Sequence, residues 1–220
     1  MISLENKNRL LYGIIFVCIL CFGTSYSPLS CSILFATIGL ICFFEMWQLR
    51  IGKTKILGLL YVSSPFILIQ ILIWYYLSVD YGDLYNWGGS EIILRILFVT
   101  WTFDSFAYLI GVKFGKNKIL PSISPKKSWE GFIGGLIITV ILTLLYCLYN
   151  EESFINYLLM AIIIPFLATL GDFIESAYKR EAGVKDSGNL IPGHGGLLDR
   201  FDGLICESFF VKIIDFLLVT

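Results

Sequence analysis

Asp172, Glu175, Ser176 and Lys179 stand at i, i+3, i+4 and i+7, the spacing that puts four side chains on one face of a helix. Downstream, Asp199 and Asp202 are again i, i+3, so their carboxylates project together if that stretch is helical. Two carboxylate clusters at a polar interface offer the oxygen ligands that hard cations such as Mg²⁺ take, with waters or phosphates filling the remaining positions. A charged helix end neutralised by Lys179, Arg180 and Arg200 is the plainer account. Ionisable groups close to spanning helices are functional by default, however, and that favours metal binding. The expected ligands are Asp172, Glu175, Asp199 and Asp202.

Between the clusters runs Pro192-Gly193-His194-Gly195-Gly196, a turn whose glycines let the backbone approach a ligand. Successive N–H groups in such a turn can form a nest for phosphate. Lys179, Arg180, Lys185 and Arg200 would supply cations to the same anion. His194 is the only histidine. It could contact a phosphate or a base, act as an acid or base, or be a polar turn residue; with no Cys or second His beside it, a zinc site is not expected.

An earlier basic loop contains Ser124-Pro125-Lys126-Lys127. Ser followed by Pro predicts a helix start, with Ser124 as N-cap. Lys126 and Lys127 would then crowd a helix N-terminus that already attracts anions, which suits phosphate. The GxxxxGK[ST] pattern of a phosphate-binding loop is absent. Asp104 lies inside an apolar segment and should face the bundle interior; it could orient a lysine, join the metal site or bind a coupling ion. Glu45 and Glu207 lie nearer predicted helix ends, where snorkelling accounts for them. Gly131, Gly134 and Gly135 have the spacing for close helix packing.

The elements that must hold these residues are apolar. Hydrophobic residues make up 57% and charged residues 15% of the 220, with mean hydropathy +0.80. The charged share is well under the ~25% of soluble domains, and the reading is an integral membrane protein. A net charge of -1 makes no case for nucleic acid. The six cysteines, Cys18 and Cys21 among them, read as small apolar helix residues.

Seven spans are expected: Leu10–Gly23, uncleaved and near the short end of what spans, then six near the ~20 residues a bilayer needs, about Ser30–Leu49, Ile56–Val79, Glu91–Val112, Phe132–Tyr149, Phe154–Glu175 and Leu204–Val219. Basic links (Lys7 and Arg9; Arg50, Lys53 and Lys55; Lys113 to Lys127; Lys179 to Arg200) alternate with uncharged or acidic ones. The positive-inside rule then puts the N-terminus and the polar loops 113–130 and 176–203 on the cytoplasmic face. The predicted fold is thus all-α and polytopic, with about seven transmembrane helices and a polar catalytic site at the cytoplasmic face. Residues 1–100 form an anchoring scaffold and 101–220 the catalytic part.

Ser176 to Asp202, SAYKREAGVKDSGNLIPGHGGLLDRFD, closely resembles the C-terminal signature of phosphatidate cytidylyltransferases (CDP-diacylglycerol synthases). Asp104-x-x-Ala107-Tyr108-x-x-Gly111, Gly115-Lys116 and Ser124-Pro-Lys-Lys-Ser-Trp-Glu-Gly131 extend the match, with Ser128 where the family usually has Thr. The resemblance covers about Trp101–Asp202. It implies transfer of the cytidylyl group of CTP to phosphatidic acid, giving CDP-diacylglycerol and pyrophosphate. It also implies a two-cation centre at Asp172 and Asp199, with Mg²⁺ as cofactor and K⁺ a candidate second cation.

Catalysis is expected of Asp172, Asp199, Lys179, Arg200 and His194. Substrate contacts are expected from Asp104, Ser124, Lys126, Lys127, Ser176, Arg180, Lys185, Asp186, Gly195 and Gly196. The partners would be CTP and phosphatidic acid within the bilayer of a bacterial inner membrane, with a homodimer allowed. Two other enzymes share these needs, a CTP-dependent kinase and a cytidylyltransferase of an isoprenoid lipid. An ion-coupled transporter using Asp104, Asp172 and Glu175 is a rival from another class, but it would usually show internal repeats.

Overall fold

In the computed structural model, which describes residues 4–79, 88–150, 154–190 and 195–219, the chain forms seven helices and one small hairpin. The helices are α1 (Leu4–Ser25), α2 (Pro28–Leu49), α3 (Ile56–Val79), α4 (Gly88–Phe114), α5 (Trp129–Asn150), α6 (Phe154–Glu181) and α7 (Leu198–Val219). Between α4 and α5 lie β1 (Lys118–Leu120) and β2 (Ser124–Ser128). Five helices, α2 to α6, are long and apolar enough to cross a membrane, while α1 contributes a shorter apolar stretch, Leu11–Ser25. Their outward faces are apolar, with Leu40, Leu57, Trp74, Val112 and Leu148 all exposed. Such faces suit hydrocarbon and not water. The protein is an integral membrane protein.

Local chemistry explains the boundaries. Ser27 caps α2: its hydroxyl accepts from Ser30 N, Ser30 Oγ accepts from Ser27 N, and Pro28 takes the first helical position. Small residues set the tightest helix crossings. A Cβ at Gly131 would lie 2.6 Å from the Ala107 carbonyl oxygen, and one at Gly135 would lie 2.8 Å from Ala107 Cβ. That brings α4 and α5 together, as the glycine spacing predicted. A Cβ at Gly171 would run into the backbone carbonyl of Asp202, and one at Gly203 would be 3.2 Å from Ala168 Cα. The backbones of α6 and α7 therefore touch where both carry acids.

The hairpin corrects one expectation. Ser124 does not cap a helix; it begins β2, paired antiparallel with β1 in the register Lys118↔Ser128 and Leu120↔Ser124. The cap of α5 is Ser128, whose hydroxyl accepts from Gly131 N at 3.2 Å. Pro125 is tolerated because a two-stranded ribbon has only edge strands, where a missing N–H costs little. Glu130 fastens the ribbon to α5: it accepts from the backbone N–H groups of Lys116 and Asn117, both at 3.1 Å, and from Asn117 Nδ2 at 2.7 Å.

The loop expected over 176–203 is also shorter. The helical part of α6 runs to Glu181 and α7 starts at Leu198, so the charged residues of the signature other than Lys185 and Asp186 are helical. The charges need no loop: Asp172, Asp199, Arg200 and Asp202 turn toward the cavity described below, and Glu181 pairs with Arg50 and Lys53.

Candidate active site

Gly171 and Gly203 let α6 and α7 meet, and oxygens of Asp172, Glu175 and Asp202 come within 4.8 Å of one another. Glu175 is fully buried and paired with Lys179, one helical turn on. Asp172 Oδ1 accepts from Ser176 Oγ at 3.0 Å, and Asp172 Oδ2 meets Lys127 Nζ at 2.5 Å. Lys127 belongs to β2, so the hairpin closes over the acids of α6.

Asp199 is not in that trio, and both of its oxygens are hydrogen-bonded. Lys179 Nζ donates to Oδ1 at 2.6 Å; Ser187 N, Gly196 N and Ser187 Oγ reach Oδ2 at 2.9, 2.8 and 3.1 Å. Burial alone would push the Asp199 carboxyl up. The Lys179 ammonium and the Ser187 and Gly196 amides outweigh it and hold the group below the usual carboxylate range. Lys179 thus bridges Glu175 and Asp199 across the α6–α7 contact.

In front of the acids lies a cavity of about 1030 Å³, at the upper end of the ~300–1,000 Å³ of small-molecule sites. Asp104, Ser124, Lys126, Lys127, Asp172, Asp199, Arg200 and Asp202 line its polar part, and Phe16, Val17, Trp101, Phe103 and Phe132 line its apolar part. One wall therefore offers charge and the other hydrocarbon.

The remaining expected residues lie elsewhere. Arg180 donates to Val184 O at 2.9 Å and Ile123 O at 3.4 Å, tying the hairpin's turn to the end of α6. Lys185 and Asp186 are exposed and outside the cavity lining. Gly195 has φ +87, a left-handed backbone that favours glycine. Gly196 turns its N–H onto Asp199, so that donor serves the protein and not a phosphate. His194, with Pro192 and Gly193, lies outside the described residues.

Three residues were misjudged or missed. Glu45 does not snorkel from a helix end: it is buried, and its carboxylate accepts from Ser187 Oγ, Leu197 N and Leu198 N at 2.8, 2.9 and 2.8 Å. Glu207 is buried too and accepts from Thr100 Oγ1 at 2.8 Å, within the α4–α7 contact. Ser187 is buried between Glu45 and Asp199. A buried acid within an apolar helix was the available signal for both glutamates, whereas nothing marked Ser187 apart from its neighbours.

Comparisons with known proteins agree with this chemistry. A model described as "Cytidylyltransferase family" matches residues 85–218. The phosphatidate cytidylyltransferase of Thermotoga maritima is 46% identical over 149 residues, which is 64% of this chain and 55% of the relative. That of Haemophilus influenzae is 37% identical over 164 residues, covering 70% and 55%; that of Bacillus subtilis is 39% identical over 147 residues, covering 66% and 54%. The chain spans little more than half the length of the curated relatives it matches.

Proposed function

The chain belongs to the cytidylyltransferase family, and on that premise we propose that it transfers the cytidylyl group of CTP to phosphatidic acid, giving CDP-diacylglycerol and pyrophosphate. The observation that carries this reading is the two-faced cavity. Its polar wall joins carboxylates of α4, α6 and α7 to cations of β2 and α7, and its apolar wall comes from α1, α4 and α5. A triphosphate and a lipid phosphate can meet at the first while acyl chains rest against the second.

The lipid phosphate is already an anion and needs no general base to attack. One of its oxygens bonds to the α-phosphorus of CTP as the bond from that phosphorus to the bridging oxygen of the β-phosphate breaks. Pyrophosphate leaves with the electron pair. Lys126, Lys127 and Arg200 surround the transferred group with positive charge and hold the two phosphates in line. Lys127 is kept in place beforehand by Asp172.

The oxygen-only trio Asp172, Glu175 and Asp202 fits a hard divalent cation. Mg²⁺ bound there, with Asp199 alongside and K⁺ as a second cation, would neutralise phosphate charge. Phosphatidate reaches the cavity from the bilayer of a bacterial inner membrane, and CTP from the cytoplasmic side, to which the basic links assign the hairpin.

The test is product formation by the purified protein in detergent, given phosphatidic acid, CTP and Mg²⁺. CDP-diacylglycerol from the wild type, and turnover lower by orders of magnitude in a folded Asp172→Asn variant, is the expected result. A folded wild type that makes no cytidylyl lipid overturns the proposal.

A further inference from the structure

Glu45 sits on α2, outside the segment that the family model matches, yet it reaches the centre of the site. Its Oε1 accepts from Leu197 N, and its Oε2 accepts from Leu198 N and Ser187 Oγ. Leu197 and Leu198 are the entry residues of α7, whose first N–H groups have no partner inside the helix. A carboxylate there satisfies two of them and faces the positive end of the helix dipole.

Asp199 follows one residue later. The same Ser187 hydroxyl lies 2.8 Å from Glu45 Oε2 and 3.1 Å from Asp199 Oδ2, and its one proton serves either carboxylate. The backbone is shaped for this approach. A Cβ at Gly188 would lie 2.7 Å from Glu45 Oε1, and one at Gly196 would lie 2.5 Å from Glu45 Oε2. These two glycines leave room for Glu45, which gives them a structural task separate from phosphate binding.

We propose that Glu45 is a positioning residue of the active site: by holding Ser187 and the first turn of α7, it sets the place of Asp199 and, through Lys179, of Glu175. It touches no substrate. Its kinetic consequence rests on the transferase reading; its structural consequence does not.

The experiment compares wild type, Glu45→Gln and Glu45→Asp in detergent by two readouts. Gln keeps the shape but replaces one acceptor oxygen with a donor, which opposes the N–H and O–H groups aimed at it. Hydrogen exchange resolved to single amides is read without substrate at Ser187 and Gly196, whose backbone N–H groups bond Asp199 and not Glu45. Exchange at both should speed up about tenfold or more in Glu45→Gln, as loss of a charge-assisted bond implies. With CTP and phosphatidic acid, kcat should fall roughly 10–100-fold, as for other outer partners of a ligand set. KM should stay near the wild-type value, with part of the turnover recovered in Glu45→Asp.

Protection of Ser187 and Gly196 unchanged in Glu45→Gln, or kcat within twofold of wild type, overturns the inference. A fall in activity that only tracks a lower folded fraction in thermal unfolding also overturns it. If Glu45→Gln does not fold, Glu45→Asp is read by the same two criteria. Faster exchange at both amides in Glu45→Gln, with a folded wild type that makes no product, would uphold the positioning role and remove the transferase reading.

Discussion

At the scale of single residues, two lysines that look alike in sequence do different work. Lys179 lies between Glu175 and Asp199 with its side chain 10% exposed, whereas Lys127 faces the cavity at 26% and pairs with Asp172. Removing the cation from a buried acidic pair leaves uncompensated charge, at a cost of about 3–5 kcal/mol. Lys179→Met should therefore lower the midpoint of thermal unfolding in detergent by many degrees. Lys127→Met should leave that midpoint within a few degrees and instead raise KM for CTP or phosphatidic acid at least tenfold. Equal thermal losses in the two variants would contradict the assignment.

Asp199 adds a sign that can be checked. Its folded-state pKa is held below the ordinary value, so its contribution to stability is fully present above the unfolded carboxylate range, near pH ~4. That contribution disappears as the pH falls through the lower folded value. Asp199→Asn should thus flatten the acid limb of a stability-versus-pH curve and leave its neutral-to-alkaline limb parallel to wild type; an unchanged acid limb would count against the network drawn around Asp199.

At the scale of elements, what the sequence showed and what it hid have separate physical causes. The spans were legible because a membrane demands long apolar runs, and α2, α3, α5 and α6 fall close to their predicted places. The glycines of α5 were legible as packing positions because small residues at helical spacing have few other uses in a span. The hairpin was not legible. Its strands have three and five residues, too short for alternation to show, and Ser124-Pro125 carries the local signal of a helix start. The extension of α6 through Lys179 and Arg180 was hidden by its charge, which reads as a loop when the partner helix is unknown. Glu45 stood out only as an acid in an apolar helix; its task was hidden because its donors stand some 150 residues away in sequence, and no local pattern reports a long-range bond.

The contact of α6 with α7 is the element-scale feature most open to test. Gly171 faces the Asp202 carbonyl with no room for a methyl group, and backbone cannot rotate away as a side chain can. Gly171→Ala should push the helices apart at the acids, cost about 1–3 kcal/mol of stability and reduce turnover by a larger factor than that loss explains. Activity and unfolding midpoint both near wild type would show that the two helices are not locked together at this glycine.

At the scale of the whole molecule, charge and contact give one direction to the bundle. Arg50 and Lys53, at the α2–α3 turn, pair with Glu181 at the end of α6. Arg180 joins that same end to the hairpin's turn at Ile123. The α2–α3 turn, the hairpin and the α6–α7 link are therefore neighbours, and each carries Lys or Arg. Around the start of α4 and the end of α5, a separate cavity of about 420 Å³ is lined by Glu91, Arg95, Tyr146 and Asn150. Under the proposed function, the positive-inside rule would turn the first end to the cytoplasm, with the mouth for CTP on the side where nucleotide is made.

In a cysteine-free background, a single cysteine at Lys185, which is exposed beside the site, should resist a membrane-impermeant maleimide in intact cells and react once the membrane is opened. A cysteine at Tyr149, 88% exposed at the other end, should react in intact cells. The reverse pattern would turn the protein over in the membrane and put its acids on the face where no CTP is available, which the reaction could not survive.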